Sequence, residues 1–278
     1  MKILFPTDFS KASMKAKECL TELPGLGEVV FLHAPLPAEE LGAEGQRLLE
    51  QWADEFRAGG AEAAIEVVEA EPGTVHQAIV GAAREQGVDL IVMGSRGHGW
   101  LRQAFLGSVA SDVARATPVP LLIERLRFTE SGECERVCTS PFRHILAATD
   151  FSESAERLLV FLQGLPGLQK LTLIHVLELP VVHVLDPQAA EEVEAVRKKA
   201  EDELARLAER FRKANGAELE RVVRFGIASQ ELMAAAKELD ASCIALGKRG
   251  QSRLAELLWG STAEAVARRA DRPVLLVP

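Results

Sequence analysis

Two segments of the chain carry the same run of glycines. Gly94-Ser-Arg-Gly97 is followed after nine residues by Gly107-Ser108, and Gly247-Lys-Arg-Gly250 is followed after nine residues by Gly260-Ser261. Because glycine has no side chain, backbone N–H groups can approach a phosphate closely, and a helix N-terminus favours negative charge. Each run follows an apolar stretch and precedes a helical one, so the two segments predict two phosphate cradles.

A second recurring segment places a carboxylate just after a predicted strand in each half of the chain. Pro6-Thr7-Asp8-Phe9-Ser10 matches Ala148-Thr149-Asp150-Phe151-Ser152. Asp8 and Asp150 are suited to accept a hydrogen bond from a ribose hydroxyl, or to hold a divalent cation such as Mg²⁺ or Mn²⁺ against phosphates. The alternative is that both only cap the helix that follows. We interpret them as ligand contacts.

A histidine follows each of these aspartates by 25 residues, at His33 and His175. Histidine at a recurring position is compatible with acid–base catalysis. Neither half, however, has a Ser or Cys nucleophile at a matched spacing. We therefore interpret both histidines as hydrogen-bonded residues at strand ends and assign no catalytic residue.

The elements that must position these residues form an α/β pattern. Five short apolar runs alternate with helices in each half, which predicts a mostly parallel five-stranded sheet covered by helices on both faces. Ligands of such sheets bind beyond the carboxyl ends of the strands. We expect the first helix over Lys11 to about Leu23, and the strands to begin near Lys2, Val29, Ile65, Leu90 and Leu121, and near Ile145, Leu171, Leu219, Cys243 and Val274.

The repeats also set the domain organisation. At 278 residues the chain is long enough for two domains of similar size, each able to bury its own core. The matched landmarks predict a first domain over 1–126, a linker over 127–141 and a second domain over 142–278.

Composition excludes several classes of protein. The net charge of −9 argues against a nucleic-acid partner, because binding a phosphate backbone needs a basic face. No apolar run has the length of a membrane span, and the first strand begins at Lys2 without a signal peptide, so we expect a cytoplasmic protein. A single asparagine, Asn215, is typical of a heat-adapted source, although GC-rich codon usage gives the same composition.

The four cysteines fall into two kinds. Cys19 and Cys243 lie in apolar patterns and are expected to be buried and inert. Cys134 and Cys138 lie in the linker. A zinc site would need further ligands at a better spacing, which leaves a disulfide or two free thiols as the preferred interpretations.

Together, these residues resemble the universal stress protein superfamily in its tandem two-domain form. The resemblance rests on the strand-Asp segments, the strand-His segments and the glycine motifs, and covers nearly the whole chain. It implies two tandem Rossmann-like domains, of the adenine nucleotide alpha hydrolase-like type, that bind ATP, ADP or AMP. By position it implies that Asp8 and Asp150 contact ribose or metal, that Ala34 and Val176 offer backbone atoms to adenine, and that Gly94, Gly97, Gly107, Ser108, Gly247, Gly250, Gly260 and Ser261 hold ribose and phosphates.

The candidate site takes in the neighbours of these motifs as well. Gln251 stands where the first copy has His98, and Thr262 where it has Val109, which adds a hydroxyl. Arg96 and Arg249 are equally compatible with phosphate contact and with solvated surface. Thr7 and Thr149 complete the set, beside the two aspartates.

The function implied is that of an adenine-nucleotide-binding stress-response regulator acting on an unidentified protein partner. Its two halves are expected to form an intramolecular pseudo-dimer, which could itself dimerise. The alternatives are a slow ATPase or another ATP-consuming enzyme, and a scaffold that binds no nucleotide. Neither a HIGH-like nor an SGGxDS-like signature of adenylyl transfer is present.

Overall fold

A computed structural model describes residues 1–37, 41–95, 106–128, 133–178, 187–212, 216–250 and 259–278. The chain forms two compact units. The first comprises Met1–Ser140 with Ala267–Leu276 and Pro278, and the second comprises Pro141–Val266 with Val277. The C-terminal strand thus lies mostly in the first unit, although its sequence belongs to the second repeat.

Strands and helices alternate through most of the described chain. The strands are β1 (Lys2–Thr7), β2 (Glu28–His33), β3 (Glu62–Val67), β4 (Leu90–Gly94), β5 (Leu121–Glu124), β6 (Leu126–Phe128), β7 (Cys134–Arg136), β8 (His144–Ala148), β9 (Lys170–Leu177), β10 (Glu218–Phe225), β11 (Cys243–Gly247) and β12 (Val274–Val277). The helices are α1 (Lys11–Lys17), α2 (Ala43–Ala58), α3 (Val75–Glu85), α4 (Ser108–Ala116), α5 (Glu153–Gln163), α6 (Pro187–Arg212), α7 (Ala228–Glu238) and α8 (Ser261–Arg269).

The first unit is built on a sheet with the order β3-β2-β1-β4-β5-β12. The first five strands are parallel, and β12 runs antiparallel to β5, with Leu276 opposite Leu121. Residues of β1, β2 and β4 are buried as continuous apolar runs, which fits a sheet covered on both faces. Phe5 packs edge-on against Phe31 and against Trp52 of α2, and the rings of Phe31 and Trp52 are also in contact.

The second unit contains a parallel sheet with the order β10-β9-β8-β11. Its central strands are apolar and fully buried, including Leu171, Leu173 and Ile244. Helix α6 packs against β9 and β10, and α5 against β8 and β11. None of the helices within the described ranges has both the length and the apolar character that crossing a bilayer would require.

Three local elements differ from the pattern expected of the sequence. Helix α1 ends at Lys17, and a 3₁₀ turn at Leu20–Glu22 replaces its expected last turn. This tighter turn buries Cys19 and Leu20 completely. The third strand begins at Glu62, because an edge strand needs no continuous apolar run. The predicted linker, 127–141, contains β7 and all of β6 except Leu126, and these two strands pair as an antiparallel hairpin.

Candidate functional site

The end of β1 forms a tight turn that presents Asp8. Phe9 has a φ of 57°, in the left-handed region that residues with a Cβ seldom adopt. Oδ1 of Asp8 accepts a hydrogen bond from the N–H of Ser10 at 3.0 Å. The Ser10 hydroxyl oxygen then accepts from the N–H of Ser13 at 3.1 Å and caps α1. The aspartate therefore shapes the turn, while the serine is the helix cap.

The second half repeats this turn almost atom for atom. Phe151 has a φ of 61°, and Oδ1 of Asp150 accepts from the N–H of Ser152 at 3.0 Å. The Ser152 hydroxyl oxygen caps α5 by accepting from the N–H of Ala155. In both halves the threonine before the aspartate accepts the phenylalanine N–H at 3.0 Å. Two independent copies of one strained turn indicate that its shape is needed.

The two histidines lie against these turns. Nδ1 of His33 is 2.9 Å from the carbonyl oxygen of Thr7, and Nδ1 of His175 is 2.7 Å from that of Thr149. Because a carbonyl only accepts, Nδ1 carries the proton in each of these hydrogen bonds. Each ring also contacts the phenylalanine of its turn, with centroids 4.7 Å apart for Phe9 and 4.5 Å for Phe151.

The glycine segment of the second half lies directly beside Asp150. A methyl group in place of the Gly250 hydrogen would be 2.7 Å from Oδ2 of Asp150. A methyl group on Gly260 would be 3.8 Å from the backbone nitrogen of Gly250. The structure thus brings together the carboxylate and both ends of the motif, and glycine is what leaves space between them.

The start of the same segment packs on α5. A methyl group on Gly247 would lie 2.7 Å from Oγ of Ser154 and 2.9 Å from the Ser154 carbonyl carbon. The N–H of Arg249 donates to Oγ of Ser154 at 3.4 Å. Close approach of helix and strand therefore requires glycine at position 247.

Backbone hydrogen bonds hold the second part of each glycine motif in the same place. The N–H of Gly107 donates to the carbonyl oxygen of Ser95 at 2.8 Å, and that of Gly260 to Lys248 at 3.0 Å. Gly107 is the N-cap of α4, and exposed Ser108 begins that helix; Ser261, also exposed, begins α8. Each cradle therefore adjoins a helix N-terminus, where the helix dipole favours anions.

The residue after the strand-ending glycine is the main chemical difference between the two halves. Ser95 is 1% exposed and Lys248 is 6% exposed. Burial, together with the charge of neighbouring Arg249, lowers the pKa of the Lys248 ammonium to about 8. The second cradle therefore has a buried basic group at the position where the first has a serine.

The remaining candidate residues are placed as follows. Ala34 and Val176 directly follow the two histidines and are half-buried. Gly94 ends β4 in register with Glu124 of β5. Val109 and Thr262 are half-buried in the first turns of α4 and α8. Arg96, Gly97, His98 and Gln251 lie outside the described residues.

Phe9, Phe151, Ser154 and Lys248 belong to the site but were not assigned to it from the sequence. Phe9 and Phe151 recur in the Thr-Asp-Phe-Ser segment, so the repeat itself carried a signal that they matter. Ser154 aligns with Ala12 and gave no such signal.

The cysteines take no part in the site that the described residues form. Cys19 and Cys243 are buried, as expected, and none of the four forms a disulfide. Among the described residues, no three His, Cys, Asp or Glu side chains converge as metal ligands.

Comparisons with known proteins agree with the repeat. The model of the universal stress protein family matches residues 1–125 and again residues 141–278. Universal stress protein MJ0577 of Methanocaldococcus jannaschii is 30% identical over 150 residues, which is 44% of this chain and 93% of that protein. Universal stress protein YxiE of Bacillus subtilis is 37% identical over 86 residues, 31% of this chain and only 56% of that protein's length.

Solved structures match the chain over its full length. A universal stress protein from Archaeoglobus fulgidus is 25% identical with a TM-score of 0.67, covering 99% of this chain and 95% of that one. A protein from Pseudomonas aeruginosa described as functionally unknown has a TM-score of 0.70 at 18% identity, and covers 99% of this chain and 92% of its own. The second likeness is evidence of the fold alone.

Proposed function

Because the chain belongs to the universal stress protein family, we propose that it is an adenine-nucleotide-binding regulator with one nucleotide site in each half. The observation that carries the proposal is the contact between Asp150 and Gly250, where only a glycine leaves space beside the carboxylate. The matched turn at Asp8 supports the same site in the first half. We place its action in the cytoplasm, on a protein partner.

The residues fit a nucleotide polyphosphate. The starts of α4 and α8 offer backbone N–H groups and the exposed hydroxyls of Ser108 and Ser261 to an anion. Because Gly250 and Gly260 have no side chain, nothing at these two positions covers the backbone where a phosphate would approach. In this proposal Asp8 and Asp150 accept from ribose hydroxyls or hold Mg²⁺ or Mn²⁺, and the backbone of Ala34 and Val176 faces adenine.

No described group is arranged to activate water or a nucleophile in this proposal. The imidazole Nδ1 atoms are already engaged by the carbonyls of Thr7 and Thr149. Asp8 and Asp150 each use Oδ1 to hold a turn. The site therefore suits binding and a nucleotide-dependent conformation better than turnover.

The first test is the amount of adenine nucleotide bound per chain. Nucleotide released by denaturing freshly purified protein is quantified by chromatography, and titration calorimetry with ATP, ADP and AMP follows. We expect two sites per chain. The Gly97→Val/Gly250→Val double variant should lose both, because a side chain at Gly250 would meet Asp150 and Gly97 holds the matching position of the first motif.

Two glycines in open space provide the control. A methyl group at Gly42 or Gly216 meets nothing within 4 Å, so Gly42→Val/Gly216→Val should bind as the wild type does. Normal binding by the Gly97→Val/Gly250→Val variant would contradict the site. Absence of binding in the wild type would favour a scaffold, and steady ATP turnover would favour an enzyme.

A further inference from the structure

A buried carboxylate lies in the first unit, away from the aspartate turns. Glu124, the last residue of β5, is 0% exposed. Within the described part of the chain, neither of its carboxylate oxygens has a hydrogen-bond partner. The groups that face it are the Cys19 thiol, the Glu22 carboxylate and the Arg136 guanidinium. Such a carboxylate is costly to ionise where it lies.

This cluster occurs in one repeat only. Aligning the Thr-Asp-Phe-Ser segments pairs Cys19 with Phe161 and Glu22 with Gly164, and aligning the glycine motifs pairs Glu124 with Val277. The second repeat is thus apolar or small at all three positions. The three polar groups therefore occur together in the first half, where Arg136 of the linker contacts Glu22 and Glu124.

Arg136 covers the carboxylate from the linker hairpin. Its side chain is 4% exposed, its Nε lies 3.9 Å from Oε2 of Glu124, and its Nη1 lies 2.9 Å from Oε2 of Glu22. Its Nη2 donates to the carbonyl oxygen of Cys138 at 2.9 Å. The hairpin is further attached through the N–H of Val137, which donates to the carbonyl oxygen of Arg125 at 3.1 Å. Displacing β7 therefore admits water to Glu124.

The charge on Glu124 is set by opposing effects. Burial raises the pKa of its carboxyl from 4.5 to about 7, although the Cys19 thiol and the Arg136 guanidinium both act in the opposite direction. The closed hairpin therefore favours the protonated acid, whereas an opened hairpin hydrates the carboxylate and favours the ion. Opening and proton release are coupled as a consequence.

We propose that the hairpin β6–β7 is a proton-controlled latch on the first unit, closed while Glu124 is protonated and released as Glu124 ionises and becomes hydrated. The latch acts next to the first glycine segment, because the carbonyl oxygen of Glu124 accepts the N–H of Ser95 at 2.9 Å. It goes beyond the proposed function and does not require that nucleotide binds.

Hydrogen exchange of the hairpin amides in the full-length chain tests the latch. The Val137 amide and the amides of β6 and β7 are followed across the pH range from acid to mildly alkaline, and each rate is divided by its intrinsic exchange rate. This ratio gives the equilibrium constant for opening of the hairpin. We expect the constant to rise by up to about tenfold per pH unit between 4.5, the usual pKa of the carboxyl, and about 7, its pKa in the closed hairpin, and to level off above the higher value.

Two variants identify the responsible group. Glu124→Gln keeps the shape but cannot ionise, so its opening constant should stay at the low-pH value throughout. Glu124→Val installs the residue of the second repeat and should be equally independent of pH. Glu22→Gln, which leaves Glu124 in place, should keep the wild-type slope.

The outcomes that overturn the latch are clear-cut. Opening that does not vary with pH in the wild type would refute it, as would an unchanged slope in Glu124→Gln. Amides of β2, remote from the hairpin, report whether a variant is folded: they should show wild-type protection. Because no nucleotide is added, failure here is independent of failure at the nucleotide sites.

Discussion

His33 donates from Nδ1 to the carbonyl oxygen of Thr7 across 2.9 Å, which joins the end of β2 to the end of β1. The pair His175 and Thr149 makes the same bond in the second half. In both halves the histidine thus holds the strand end from which the aspartate turn departs. We interpret it as a positioning residue for that turn.

Replacing this histidine should therefore weaken nucleotide binding through the turn. His175→Leu removes the donor and should cost about 1 kcal/mol of unfolding free energy, the usual net value of one hydrogen bond. It should also lower the nucleotide affinity of the second half. His175→Asn retains a side-chain N–H and should recover much of both. Urea unfolding measures the unfolding free energy and calorimetry measures the nucleotide affinity. Equal losses in His175→Leu and His175→Asn would exclude the hydrogen bond as the cause.

A single methyl group at Gly250 should disable the second-half site. Gly250→Ala places Cβ 2.7 Å from Oδ2 of Asp150, so the carboxylate must move. We expect the affinity of that site to fall at least about tenfold, equivalent to about 1.4 kcal/mol. The matched change Gly216→Ala, in open space, should have no effect. Calorimetric titration of both variants with nucleotide is the measurement. Wild-type affinity in Gly250→Ala would show that Gly250 does not belong to the nucleotide site.

Asp150 allows its turn-forming role to be separated from ligand contact. Asp150→Asn keeps an oxygen that can accept the Ser152 N–H, so stability should change by less than about 0.5 kcal/mol. Asp150→Ala loses that acceptor and should cost about 1 kcal/mol. If the carboxylate contacts the ligand or its cation, both variants lose nucleotide affinity. Unchanged affinity in Asp150→Asn would assign the residue to the turn alone.

Lys248 should give the second unit a stability that depends on pH. Its folded-state pKa of about 8 lies below the usual 10.5, so the folded state holds fewer protons than the unfolded state between these values. Stability should therefore rise with pH across this window, by at most about 1.4 kcal/mol per unit. Lys248→Ser, the residue of the first repeat, should abolish the rise.

An exposed lysine on α7, Lys237, serves as the control for that experiment. Lys237→Ser should keep the wild-type dependence of unfolding free energy on pH. Urea unfolding at several pH values, followed with a probe in the second unit, is the measurement. A wild-type curve that is flat over this window would show that Lys248 is hydrated.

Much of the fold could be predicted because short sequence patterns specify it. Continuous apolar runs such as Val29–Leu32 become buried parallel strands, and the recurrence of the aspartate and glycine segments reveals the duplication. The least accurate strand was β3, an edge strand that exposes Glu62, Ile65 and Val67 and whose charged residues Glu62 and Glu66 interrupt any apolar run that could mark its start.

The site was predicted less completely, for physical reasons. A sequence does not display φ, so the left-handed Phe9 and its contact with His33 remained hidden inside a correctly recognised segment. Glu124 directly follows the apolar run that begins at Leu121, and nothing in the sequence indicates that a distant linker residue, Arg136, covers it. Contacts between residues far apart in the chain depend on the assembled fold, which local patterns do not encode.

Strand β12 has a consequence for how the protein is made. Because β12 pairs with β5, the sheet of the first unit gains its sixth strand only after the whole second unit has been synthesised. During translation β5 therefore remains an open edge, with unpaired N–H and carbonyl groups available to other chains. Cutting the gene at the linker would therefore yield a first half that lacks its closing strand.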